Sequence, residues 1–149
     1  MSFDPRQPEH RRAFGLAAET LAADFLARRG LRILFRNYTC PLGELDIIAR
    51  DGNTVVFVEV RSTASGEAVW PALSINAHKQ SRLRRLAEYF LNKHRLQNQP
   101  ARLDVVLVVE NTETHAALAD AGIASEQVIG QGGKPTRIVH YVNALRFSG

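Results

Sequence analysis

Between Glu44 and Arg61, two runs rich in Val and Ile are separated only by Gly52-Asn53. Two residues can join only antiparallel neighbours, so the segment reads as a β-hairpin, and Gly at the first central position suits a type II′ turn. The pairing then follows by counting. Asp51 faces Thr54, Arg50 faces Val55, Ile48 faces Phe57, and Asp46 faces Glu59. One face carries Leu45, Ile47 and Ala49 against Val60, Val58 and Val56, and must lie on a core. The other carries Glu44, Asp46, Ile48 and Arg50 against Arg61, Glu59, Phe57 and Val55. That face is apolar near the turn and charged at its far end. A slip of one residue would exchange the faces, so the pattern is sensitive to register. Two carboxylates directly opposite on one face repel. A chain tolerates them when a cation sits between them or when both reach water.

The flanking segments complete an α/β chain. Residues 1–9 are polar and contain Pro5 and Pro8, the composition of a flexible arm. Arg11 to Arg29 is rich in Ala and Leu and is followed by Gly30, which predicts a helix with a glycine stop. Leu31, Ile33 and Phe35 alternate with Arg32, Leu34 and Arg36, which predicts a strand; Asn37 to Gly43 holds Pro41 and is expected to turn. Ser62 to Ser74 is a long loop carrying Trp70, a candidate flap. A helix is expected from Ile75 to Leu96, with Leu83, Leu86, Phe90 and Leu91 on its apolar stripe and Lys79, Arg82 and Arg85 on a basic side. Leu103 to Val109 is almost continuous Val and Leu, a strand buried on both faces. Strand, helix and buried strand make a crossover unit, expected to be right-handed. The stretch 111–136 reads as a variable loop with a short helix at Glu113 to Ala121, and Arg137 to Val142 as a last, edge strand.

The chain has 149 residues, 45% of them hydrophobic, which suits a single domain spanning 1–149. Its net charge of +4 leans basic, as nucleic-acid-binding surfaces do, although many basic proteins bind none. The single cysteine, Cys40, excludes an intramolecular disulfide and a cysteine metal cluster, and it has no evident partner base. The first residues lack the apolar core of a signal peptide, and no run approaches the roughly 18 apolar residues of a spanning helix. The expected compartment is the cytoplasm, with no membrane partner.

Chemistry concentrates at the charged end of the hairpin, where Asp46, Glu59 and Arg61 share one face. Carboxylate oxygens suit Mg2+ or Mn2+; magnesium sites typically combine one or two of them with waters and substrate phosphates. Arg61 beside them can stabilise charge on a phosphate. The same charges can also line a solvated strand end. Glu19 shares its helix face with Gly15, Ala22, Ala23 and Leu26, so it either approaches a partner or stays on the helix surface. Asp104 begins a buried strand and can pair with Arg102. Lys79, Arg82 and Arg85 follow at helical spacing and can grip successive phosphates, with His78 beside them, or form a solvated basic face. The five histidines show no metal-ligand spacing.

Glu19, Gly43-Glu44-Leu45-Asp46, Phe57-Val58-Glu59-Val60-Arg61, Lys79 with Arg82-Leu83, and Arg102-Leu103-Asp104-Val105 occur in this order. The combination resembles the YraN-like uncharacterised protein family, over about Phe14 to Glu110 with a looser echo at Ile138 to Leu145. That family is similar in fold to restriction-endonuclease-like nucleases and archaeal Holliday-junction resolvases. The resemblance implies a restriction-endonuclease-like mixed β-sheet with a central hairpin, flanked by helices. It implies a metal-dependent endonuclease acting on DNA, branched DNA included. Asp46 and Glu59 would be metal ligands, with Glu19 joining from the helix. Arg61 and Lys79 would be catalytic cations, and Glu44 and Asp104 would stand behind the ligands. Junction resolvases are dimers, so the resemblance also suggests a homodimer. Arg61 departs from the pattern, which has lysine there. Lysine can give up its proton and arginine effectively cannot, so the alternatives are a catalytically weakened nucleic-acid-binding module of the same fold or an interaction subunit of a DNA-processing assembly.

Overall fold

The structure is a computed structural model and describes residues 8–64, 75–110 and 124–145. It is an α/β fold: a six-stranded mixed sheet with a helix on each face, consistent with a restriction-endonuclease-like fold. In chain order the elements are α1 (Pro8–Arg28), β1 (Arg32–Cys40), β2 (Gly43–Asp51), β3 (Thr54–Thr63), α2 (Ala77–Lys93), β4 (Ala101–Glu110), β5 (Ala124–Ile129) and β6 (Pro135–Leu145). Across the sheet the order is β1-β2-β3-β4-β6-β5. Strands β3 and β4 pair in parallel through α2, and the other pairings are antiparallel. The expected flap lies mostly outside the described residues, as do Trp70 and the short helix expected at Glu113 to Ala121.

Local chemistry explains the boundaries. Helix α1 ends where Gly30 adopts φ 94, with Leu31 N–H donating to Leu26 O and Gly30 N–H to Ala27 O. This is the 6→1 and 5→2 pair that satisfies terminal carbonyls. Helix α2 starts at Asn76, whose Oδ1 accepts from Lys79 N–H at 2.8 Å. The hairpin turn takes its positive φ at Gly52, φ 59, as a II′ turn requires.

Two cores lie on opposite sides of the sheet. Ile47, Ala49, Val56 and Val58 pack beneath Ala22, Phe25 and Leu26 of α1, whereas Ile48, Val55 and Phe57 pack beneath Leu83, Leu86 and Phe90 of α2. The hairpin register agrees with the counting from the turn, from Asp51↔Thr54 to Ile47↔Val58.

Three expectations are corrected. Leu45 packs with Ile48 and Phe57 on the α2 side, not with Ile47 and Ala49. The physical cause begins next door. Asn37 has φ 52, so β1 reverses its alternation: Arg36 reaches Thr20 on α1 while Tyr38, two residues on, packs on Phe90 of α2. Strand β2 remains paired to β1 through Arg36↔Ile47 and Tyr38↔Leu45, so it follows the kink. Second, Asn37 to Cys40 continues strand β1. Third, β6 is an interior strand, because Ala124–Ile129 forms the edge strand β5 beside it. Among the described residues no helix is long and apolar enough to cross a membrane.

Candidate active site at the kinked end of the hairpin

The β2–β3 ladder is regular only as far as Ile47↔Val58. One step further, the Asp46 carboxylate takes over a backbone role, its Oδ2 accepting from Val60 N–H at 2.9 Å. This bond ties Asp46 to β3 beside Glu59. From the other side of the sheet, Glu19 on α1 reaches the same place and makes a hydrogen-bonded contact with Asp46. Three carboxylates from α1, β2 and β3 therefore converge where the outer strands kink. Asp46 and Glu59 are not paired in the ladder as flat counting expects, but they are in hydrogen-bonding contact.

Electrostatics follows from this crowding. Burial, then the neighbouring Glu59 charge, push the Asp46 carboxyl from 3.8 up to about 7; Glu19 adds to the rise and the Val60 N–H opposes it. Burial also raises Glu19, reinforced by Glu44 and opposed by its contacts with Asp46, Arg36 and Asn37. Near neutral pH the group can hold a proton on Asp46, shared by hydrogen bonding with its neighbours, as expected when carboxylates occupy one site.

The cations are gathered around Glu59. Lys79 Nζ lies 2.7 Å from Glu59 Oε1 and Arg61 Nε 3.7 Å from the same oxygen. Glu59 is 8% exposed, so its ion pair with Lys79 is largely shielded from water. Lys79 occupies this position because the Asn76 cap fixes the first turn of α2. Among the described residues no three His, Cys, Asp or Glu side chains are drawn together closely enough to enclose a metal ion. One or two carboxylates, completed by waters and substrate phosphates, are a sufficient protein contribution for magnesium, and Asp46 with Glu59 supplies that number.

The structure thus brings together Asp46, Glu59, Glu19, Lys79 and Arg61. Glu44 stands at the rim, within 3.2 Å of the Asn37 amide with its NH2 turned toward the carboxylates. Arg82, Arg85 and His78 are exposed on the outer side of α2. His78 and Arg85 line an open cleft of about 600 Å³ with Ala77, Ser81, Arg84 and Glu88, and none of the three acids lines it. Asp104 is fully buried and its partners are elsewhere: Arg102 Nε at 3.1 Å, His140 Nε2 at 2.8 Å and Asn143 N–H at 2.7 Å. Asn37 and Asn76 were not apparent as site residues from spacing. The available signals were an Asn within an otherwise strand-like run, and an Asn three residues before Lys79.

The family described as Uncharacterised protein family UPF0102 matches residues 18–108. A "UPF0102 protein" of Caldicellulosiruptor saccharolyticus is 43% identical over 104 residues, covering 70% of this chain and 88% of the relative. One from Moorella thermoacetica is 48% identical over 98 residues, covering 66% of this chain and 82% of the relative. One from Syntrophus aciditrophicus is 46% identical over 94 residues, covering 63% and 74%. The matched span contains every acid and cation of the site.

Proposed function

The chain belongs to the UPF0102 family, and from the geometry of its acidic site we propose that it is a metal-dependent endonuclease hydrolysing nucleic-acid phosphodiester bonds, with DNA, branched DNA included, as substrate. The observation that carries this reading is the meeting of Asp46, Glu59 and Glu19 beside Lys79 and Arg61. The likeness to nucleases rests on that arrangement and on the order of the motifs.

Asp46 and Glu59 would hold Mg2+ or Mn2+, with Glu19 beside them. When bound, the ion supplies Lewis-acid polarisation of a phosphoryl oxygen and an acidified water. The protein's own groups do the rest. Val60 N–H orients Asp46. Arg61, always charged, offers fixed donors to a phosphate. Lys79 restores a lysine to the site from α2, where strand β3 carries arginine. His78, Arg82 and Arg85, exposed along α2, would carry the flanking phosphates.

The test is a cleavage panel of single-stranded, duplex, flap and four-way DNA, with and without Mn2+. The expected result is Mn2+-dependent cleavage that Asp46→Asn abolishes. Equal cutting by Asp46→Asn and the parent would refute the reading. A second reading, a nucleic-acid-binding module without activity, is favoured by one observation: Arg61 replaces the lysine of the nuclease pattern. It predicts binding without cleavage and no heat of Mn2+ binding at millimolar metal.

A further inference from the structure

Asn37 is exposed, lies in the interior of an outer strand and has φ 52, a left-handed conformation that Asn tolerates better than most side chains. With its NH2 turned toward the acids, the amide donates to Glu19 Oε2 at 2.7 Å and to Glu44 Oε1 at 3.2 Å. Both amide hydrogens are thus used on carboxylates from two different elements, α1 and β2. The backbone is held as well: Thr39 Oγ1 donates to Asn37 O at 3.3 Å. Glu19 stands between this amide and Asp46.

The chemistry of the amide is informative. A lysine or arginine at position 37 would neutralise Glu19 and compete with any cation for it. An amide holds the same carboxylate by two-centre donation and leaves its negative charge in place. That is the arrangement by which a neutral outer group orients a ligand without displacing the ion it serves.

We infer that Asn37 is a positioning residue, whose amide fixes Glu19 against Asp46 and so holds in place the Asp46 and Glu59 pair that would bind a divalent cation. The inference rests on the proposed metal-dependent function. It separates two jobs of Asn37 that substitution can distinguish. Glycine keeps the left-handed backbone at no steric cost but removes the amide. A residue present only to kink β1 would therefore be replaced by glycine without consequence.

The experiment is Mn2+ binding to the full chain by titration calorimetry, for the parent, Asn37→Gly, Glu19→Gln and the double variant, each with its thermal midpoint. Asn37→Gly is expected to weaken Mn2+ binding about tenfold, as loss of an outer-shell partner typically does. Because Asn37 acts through Glu19, the double variant should bind no more weakly than Glu19→Gln alone. Three results overturn the inference alone: Asn37→Gly binding as the parent does, Glu19→Gln binding as the parent does, or the two losses adding in full. If Asn37→Gly does not fold, Glu19→Gln still decides, since Glu19 is only partly buried. A parent that binds no Mn2+ at millimolar concentration overturns the metal reading and this inference with it.

Discussion

Replacing Asp46 with asparagine should stabilise the fold at neutral to alkaline pH while removing its proposed activity. The parent places an ionisable carboxyl where burial and the Glu59 charge push its pKa from 3.8 to about 7. Ionisation is therefore harder in the folded chain than in the unfolded one. Between about pH 4 and 7 the folded state binds more protons, so this group's contribution to stability falls as pH rises through that window and stays at its lowest above it. The shift of roughly three units corresponds to about 4 kcal/mol at 1.36 kcal/mol per unit. That is a ceiling, since Asp46 is only partly shielded from water; solvent relaxation that halves the shift leaves about 2 kcal/mol. Asparagine keeps an oxygen for the Val60 N–H and loses only the charge. Urea unfolding in EDTA should show Asp46→Asn more stable than the parent by about 2–4 kcal/mol at pH 8, and by about 1 kcal/mol or less at pH 4.5. No gain at pH 8, or an equal gain at both pH values, would refute the reasoning. Stability gained by removing a charge the fold resists is the usual mark of a group retained for function.

Two other substitutions probe the surroundings. Lys79→Met removes the ammonium 2.7 Å from Glu59; it should tighten Mn2+ binding to the protein alone several-fold in calorimetry while lowering the salt slope of nucleic-acid binding by about one, and unchanged values of both would show that Lys79 is only a surface pair. Asp104→Ala strips the partner from Arg102, buried His140 and the Asn143 N–H; it should cost about 3–5 kcal/mol in urea unfolding, and a loss under about 1 kcal/mol would show that these groups find water or new partners.

Much of the hairpin was legible because alternation reports burial directly, and Ile47, Ala49, Val56 and Val58 fall on the α1 side as alternation requires. Leu45 was not legible, because alternation assumes an unbroken pleat and a left-handed Asn37 interrupts it from a neighbouring strand. The edge strand β5 was missed for a different reason. Its sequence, Ala-Ser-Glu-Gln-Val-Ile, has little strand propensity, and pairing with β6 supplies what the residues do not. At the site, the acids were legible as a pattern of charge. The pairing of Arg102 with Asp104, two apart on one strand, was among the readings the sequence offered and is found; that Lys79 pairs with Glu59 was not legible, since it depends on how close the first turn of α2 comes to β3.

Two aspartates perform the same backbone task in this sheet, and their surroundings separate their roles. Asp46 accepts the Val60 N–H where the β2–β3 ladder gives out; Asp104 accepts the Asn143 N–H beside the irregularity between β4 and β6. Capping a broken ladder explains why each position carries a short acid. It does not explain the neighbours. Around Asp104 the fold sets Arg102 and His140, so the buried charge has donors on both oxygens. Around Asp46 it sets Glu59 and Glu19, and the nearby Lys79 and Arg61 ion pairs go to Glu59. Were capping the only task, the Asp104 solution would serve at both places. The second acid is instead left among acids at the open end of the sheet, a local cost that the rest of the core sustains. Such a violation is where a ligand of opposite charge is expected, and it makes Asp46, more than its better-satisfied counterpart, the residue on which the proposed chemistry turns.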